Sequence, residues 1–353
     1  MSRRVLEPML GSPDVSASPF HAGEAAVQER VGVRERMEQV GRRAIRAQMP
    51  DQHRDLFEKL PMLVVGSVDA AARPWASLLV ARPGFVAAPD ARTLRVGAAP
   101  VSGDPLRANL EVGAPIALLG IELATRRRNR ANGTITAASD EGFEMRVEQS
   151  FGNCPQYIHA RTPTFVADAH GAGGGGRSSE GGGAAAADME GASGAAREPP
   201  REGRLLSARA EALLARADTF FIATAVANAR GGDARHGCDV SHRGGAPGFV
   251  RVARERGASV LYWPDFRGNF MFNTLGNLAS SPRAGLLFMD FESGDALMLS
   301  GPAAVIWDGP LVKSFAGAER ALRFEPELGV WVAPGAALRW SAPVAPRQRG
   351  DAL

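Results

Sequence analysis

The sequence predicts a mainly β protein built as two small antiparallel barrels in tandem, with Greek-key connections and short peripheral helices. Three observations predict it. Apolar runs of strand length, punctuated by Gly, Pro and Asp turns, recur along the chain, while helical periodicity is confined to brief stretches. A Gly/Ala-rich tract at residues 168–203 has almost nothing to bury and reads as a flexible linker between two domain-sized halves. The two halves also present the same order of elements, the mark of an internal repeat whose identity has decayed. The expected organisation is a helical N-terminal extension over residues 1–50, a first barrel over 51–167, the linker over 168–203, a second barrel over 204–325 and a tail over 326–353.

Each half opens on helix. Residues 28–49 are charged with apolar positions at Val33, Met37, Val40 and Ile45, and a short helix follows over 52–60; residues 207–217 take this part in the second half. An apolar hairpin comes next, PMLVVGSVDAAARPWASLLVA and its counterpart from Asp218 to Gly245. Gly84-Phe85-Val86 and Gly248-Phe249-Val250 then precede the strands TLRVGA and SVLYWP. A short helix ends in Asn109-Leu110 or Asn277-Leu278, a proline leads into PIALLGIEL or PRAGLLFMDF, and a last strand closes each copy.

With 41 basic against 38 acidic residues the net charge is +3, too near balance to predict a nucleic-acid or membrane partner from composition. Cys154 and Cys238 stand far apart without CxxC or metal-ligand spacing, so neither a disulfide framework nor a zinc site is expected and a reducing compartment fits. No apolar core of signal-peptide length follows the N-terminal arginines, and no stretch approaches the roughly 20 apolar residues of a membrane span. A cytoplasmic protein is expected.

Chemistry-bearing residues concentrate in two stretches of the second half. CDVSHRGGAPGFVRV, Cys238 to Val252, sets Ser241, Arg243 and Arg251 among glycines on a hairpin edge, and guanidinium and hydroxyl donors match phosphate geometry. Gly244 and Gly245, having no Cβ, would let the backbone approach a flat ring. A hairpin turn with solvated polar residues is the other reading. The second stretch, YWPDFRGNFMFNTLGNL, puts Arg267, Asn269, Asn273 and Thr274 at a strand-to-helix junction, where free amides and the helix dipole favour an anion. If Asn269 opens the helix, Asn273 lies one turn on along the same face; simple capping is the alternative.

The run Arg126, Arg127, Arg128, Asn129, Arg130 concentrates positive charge but has no interleaved aromatics for nucleic acid, and Asn132-Gly133 after it reads as a hairpin turn. The run is either a solvated barrel-edge cluster or a phosphate or partner contact. His21 and His53 read as solvated or helix-capping, Cys154 as a buried structural thiol, and Trp75, Trp263 and Trp307 as barrel core or rim.

The segments RGGAPGFVRV, PDFRGN, TLGNL, SPRAGLLF and LMLSGPA, in that order across Ala217 to Trp307, resemble the pyridoxamine 5'-phosphate oxidase-related, FMN-binding split-barrel family. The first half is similar to a bacterial two-barrel branch described as flavin-nucleotide-binding. It carries SPFHAGE, MPDQHRDLFEKLPMLVVGSVD, RPWASLL, PGFV, GDPL, LLGIELATRRRNRANG and QSFGNCPQYIHAR. The resemblance implies tandem split barrels, FMN as cofactor at a barrel edge, a homodimer, and a phosphate gripped between the third strand and the following helix. It places Ser241, Arg243, Gly244, Gly245, Arg251, Arg267, Asn269, Asn273 and Thr274 at the cofactor. Arg126 and Arg128 are weaker phosphate-contact candidates, because the arginine run sits in a signature stretch of that branch.

The chain departs from the family in two places. Its end, ALRWSAPVAPRQRGDAL, lacks the compact Arg-and-His substrate motif of true pyridoxamine phosphate oxidases, so that substrate is not expected. It also has no cysteine cluster for the iron-sulfur reductase module fused to some relatives, so a reductase would be a separate protein or absent. The first copy's strand WASLLVARP lacks the Ser-His-Arg-Gly-Gly cluster of the second, which points to one cofactor per chain.

The expected activity is flavin-dependent oxidoreduction of an unknown small-molecule substrate, the flavin rather than a protein acid or base carrying the redox chemistry. The rival reading is a non-catalytic module that holds a flavin, another nucleotide or haem, with His236 and His242 as the candidate haem ligands.

Overall fold

The computed structural model describes residues 18–166, 199–229, 237–334 and 337–346. Most of the tract expected as a linker lies outside the described residues, as does His236. The first half contributes β1 (Met62–Val68), β2 (Pro74–Val80), β3 (Val86–Asp90), β4 (Thr93–Val96), β5 (Pro115–Glu122), β6 (Arg127–Ser139) and β7 (Gly142–Gly152), with β8 (Pro163–Phe165) after them. The second contributes β9 (Arg201–Glu202), β10 (Thr219–Ala225), β11 (Cys238–Gly244), β12 (Arg251–Glu255), β13 (Ala258–Phe266), β14 (Arg283–Met289), β15 (Ala296–Ile306) and β16 (Ala318–Phe324), followed by β17 (Leu328–Val332) and β18 (Leu338–Trp340).

The two sheets have one topology. Their strand orders are β2-β1-β5-β6-β7-β4-β3 and β11-β10-β14-β15-β16-β13-β12, the same permutation twice. Strands from opposite sides of each order reach one core: Leu79 of β2 and Val86 of β3 share the first with Leu56 and Phe57, and Ile222 of β10 and Leu261 of β13 share the second with Trp263, with Val252 of β12 packed against it. Each sheet therefore curls into a barrel, and both barrels are split barrels.

A third core lies between the barrels. Val64, Leu78 and Leu119 from the first meet Phe221, Val240, Leu287 and Met298 from the second. Strands β1 and β10 are thus buried on both faces along their whole length, which is why they read as unbroken apolar runs rather than as alternating ones. The sheet continues past Glu325, where β17 pairs with both β15 and β9, and β18 pairs with β8 of the first half.

The helices are α1 (Ala22–Arg30), α2 (Arg34–Ala44), α3 (Asp51–Glu58), α4 (Leu106–Asn109), α5 (Ala208–Arg216), α6 (Asn273–Ser280) and α7 (Pro310–Lys313). Three local expectations need correction. The helix expected over 28–49 is two helices, because Gly32 takes a left-handed φ of 72° after Val31 and ends α1. Asn132-Gly133 is no turn. It lies inside β6 at a register shift, where a Cβ on Gly133 would stand 1.9 Å from the Arg146 carbonyl oxygen. Helix α6 starts at Asn273, so Asn269 lies in the loop before it and its Oδ1 accepts from Met271 N. Among the described residues no helix is long and apolar enough to cross a membrane.

Candidate functional site: a cationic cleft between the barrels

The cleft is walled by β6 and the segment after β7 from the first barrel, and by β11, the β13–α6 connection and Arg320 of β16 from the second. Alternation along β6 turns Arg128 and Arg130 to one face. Arg130 is buried. It pairs with Asp239 at 2.9 Å, donates to Asn273 Oδ1 at 2.8 Å and also to Ser241 Oγ, which lies 3.2 Å from the Thr274 hydroxyl. Arg320 is likewise matched, its Nε 2.9 Å from Asp265.

Arg128 and Arg243 are not matched. Both are half-buried, and among the described residues their hydrogen bonds go to backbone carbonyls, those of Cys154 at 2.9 Å and His242 at 3.0 Å. Arg243 Nε has no partner among the described residues. Burial, then the neighbouring charges of Arg130 and Arg243, pushes the Arg128 guanidinium down; burial and Arg130 do the same to Arg243 against the pull of Asp265. The direction is that of a like-charge cluster short of counter-charge. Between them His242 is 3% exposed, neither ring nitrogen has a partner among the described residues, and burial and the charges of Arg128 and Arg243 hold it neutral, well below the usual imidazole range.

Strain collects on the same walls. Tyr157, Phe270 and Phe272 line the cleft with φ of 65°, 60° and 61°, a region costly for aromatic residues, at about 1–3 kcal/mol each. Helix α1 bonds to the residues on either side of Phe272. Gln28 Nε2 donates to the Met271 carbonyl at 3.2 Å, and the Asn273 amide donates to Glu24 Oε1 at 2.5 Å. His21, the N-cap of α1, lies 2.9 Å from Asn277 Oδ1. The helices touch through glycines: a Cβ on Gly276 would sit 2.5 Å from Glu24 Cγ.

Burial raises the Glu24 carboxyl to about 8, assisted by Asp239 and opposed by bonds from His21 and Asn273. A folded-state value above the unfolded one means that the contribution is fully present below the unfolded range and is lost as pH rises through about 8. Glu24→Gln should flatten that part of the pH dependence; urea midpoints at pH 5, 7 and 9 on both proteins check it, and parallel curves would contradict it.

Among the residues singled out in the sequence, Arg128, Ser241, Arg243, Gly244, Asn269, Asn273 and Thr274 line this cleft, and Gly245 and Arg251 line an adjoining one. Arg267 is exposed at the rim, its guanidinium over the Phe270 ring. Arg126 is turned away, donating to the carbonyls of Ile158, Val344 and Ala345. The glycines do admit a close approach, but by the chain itself: a Cβ on Gly244 would stand 2.0 Å from the Tyr157 carbonyl oxygen, and one on Gly245 2.6 Å from the Phe249 ring. Cys154 is half-exposed on the cleft wall rather than buried, and His53 is buried, its Nδ1 2.9 Å from Ser150 Oγ.

The ladders make the two copies comparable residue by residue. Val64 pairs with Leu78 and Leu119 where Phe221 pairs with His242 and Leu287, so Ser77 stands for Ser241, Leu78 for His242 and Leu79 for Arg243. Asn109 and Asn277 correspond too, one donating to Ser67 Oγ of β1 and the other to Thr224 Oγ1 of β10. Ser77 donates to the buried Asp104 carboxylate at 2.7 Å, where Ser241 meets the Thr274 hydroxyl. The first copy therefore carries an anion of its own and lacks the guanidinium and imidazole.

No family model matches the chain, and no curated protein matches it. Solved structures do. HupZ of Group A Streptococcus is 11% identical, with a TM-score of 0.29 over 38% of this chain and 98% of that one. HutZ, the heme storage protein from Vibrio cholerae, is 13% identical, with a TM-score of 0.24 over 36% and 95%. A pyridoxamine 5'-phosphate oxidase-related, FMN binding protein from Nostoc punctiforme is 9% identical, with a TM-score of 0.25 over 39% and 95%.

Proposed function

We propose that the cationic cleft binds flavin mononucleotide through its phosphate, one per chain, and that the protein uses it in oxidoreduction of a small substrate. The observation that carries this reading is the pair Arg128 and Arg243, two half-buried guanidiniums with no carboxylate partner among the described residues, beside the hydroxyls of Ser241 and Thr274. A phosphate monoester dianion supplies the missing counter-charge and accepts from all four groups. FMN, when bound, supplies hydride acceptance; the chain's residues bind and orient it and exclude water. Both barrels that wall the cleft belong to one chain.

His242 supports a second reading, since a buried neutral imidazole whose nitrogens have no partner among the described residues is also what an axial haem ligand needs. The test is a visible spectrum after adding FMN, or separately haem, and desalting. The flavin reading expects one flavin retained per chain. No retained flavin would overturn it, and two per chain would contradict the exclusion of anions by Asp104. A haem band lost in His242→Ala, with no flavin retained, would establish the second reading instead.

A further inference from the structure

We infer that Cys154 is a thiol-disulfide exchange site: its sulfur, on the wall of the cationic cleft, takes up a small disulfide carrying negative charge, and the mixed disulfide closes the cleft to phosphate. Only the closure rests on the flavin reading. The chain's two cysteines differ as this requires. Cys238 is buried on β11 with its Sγ donating to the Gly66 carbonyl at 3.3 Å, and burial pushes its thiol far up, so it stays protonated. Cys154 follows β7 and is half-exposed on the cleft wall.

Its surroundings call for a ligand without reference to the thiol. His242, 3% exposed, lines the same cleft with neither ring nitrogen partnered among the described residues. The buried amide nitrogen of Asn153, next to Cys154 in the chain, has no partner among them either. The carboxylate on the described walls is Asp265, and Arg320 already holds it at 2.9 Å. Arg128 Nε donates to the Cys154 carbonyl at 2.9 Å, which sets a guanidinium without a carboxylate partner beside that residue. Burial, Arg130 and Arg243 disfavour the charged form of Arg128, and a negative charge at Cys154 favours it.

In the exchange the Cys154 thiolate attacks one sulfur of the disulfide. A new S–S bond forms as the old one breaks, the other half departs as a thiolate, and the proton that Cys154 released to water passes to the departing sulfur. Cys154 is oxidised, the small disulfide is reduced, and added thiol reverses both. The transition state spreads one negative charge over three sulfurs, so the guanidiniums of Arg128 and Arg243 favour it and also draw a negatively charged disulfide inward. The adduct leaves its anionic groups among the guanidiniums that a phosphate needs.

The test uses the full chain with two disulfides, the dianionic 5,5'-dithiobis(2-nitrobenzoate) and the uncharged 4,4'-dithiodipyridine, and 2-mercaptoethanol as the reference thiol. One thiol per native chain should react, none in Cys154→Ser, and Cys238 only after unfolding in urea. The ratio of the anionic to the uncharged rate should exceed that of 2-mercaptoethanol by about tenfold. It should fall by about threefold or more in Arg128→Met and in Arg243→Met, the second of which leaves the bond to the Cys154 carbonyl in place. Treatment with glutathione disulfide should add one glutathione per chain and abolish FMN retention, and dithiothreitol should restore it. An unreactive native thiol, or Cys238 reacting as fast as Cys154, would overturn the site. A rate ratio equal to that of 2-mercaptoethanol, or unchanged in both arginine variants, would overturn the part given to the cleft. An adduct that keeps its flavin would overturn the closure. If the untreated protein binds no FMN, the closure falls with the flavin reading, while the rate ratio and its loss in the variants still decide the site.

Discussion

Arg243→Met is expected to weaken FMN binding by about 10- to 100-fold while raising the melting temperature of the ligand-free protein. The first effect follows from losing hydrogen bonds between charged groups, worth about 1.5–3 kcal/mol in a partly desolvated site. The second follows from removing a half-buried cation that no carboxylate pairs with among the described residues, which also relieves Arg128 and Arg130. Flavin fluorescence quenching and thermal melts of the same preparations measure both. Arg126→Met is the contrast: its guanidinium ties Ile158 to Val344 and Ala345, so stability should fall and FMN affinity should hold. A stabilised variant with unchanged FMN affinity would separate Arg243 from the ligand.

Gly285→Val should abolish FMN retention without touching a cleft residue. A Cβ at Gly285 would stand 2.4 Å from the Pro74 carbonyl oxygen and 2.6 Å from Trp75 Cα, so β14 of the second barrel lies directly on β2 of the first. A branched side chain there must push backbone away from backbone, and overpacking of this kind costs about 1–3 kcal/mol even where side chains can yield. The cleft draws Arg128 and Arg130 from one barrel and Ser241 and Arg243 from the other, so a wedge between barrels separates its two halves. A melt and a desalting assay test it; a lowered melting temperature with flavin fully retained would mean that the cleft does not depend on inter-barrel packing.

The sequence made the barrels legible because each strand's environment is written in its own residues. The doubly buried β1 and β10 are continuous apolar runs, and Gly84 and Gly248, with φ of 94° and 84°, mark one turn in both copies. The site was legible where its residues are local, as at Ser241, Arg243, Asn273 and Thr274. It was hidden where partners come from afar. Arg130 meets Asp239 and Ser241 across more than a hundred residues, and its place on the inner face of β6 was obscured by reading Asn132-Gly133 as a turn. A strand carried through that pair would have set Arg128 and Arg130 together by alternation alone. Nothing local marks His242 as buried without a partner, or Glu24 as support for Asn273 from α1.

The central claim is that the cleft is a phosphate site, and comparing FMN with riboflavin tests it most directly. The two share the ring and ribityl chain, so their affinities for the wild-type protein, titrated under one set of conditions, differ by the phosphate alone. The arrangement of Arg128, Arg243, Ser241 and Thr274 predicts FMN tighter by about 100-fold or more, from two charge-assisted contacts. Equal affinity for the two would contradict it.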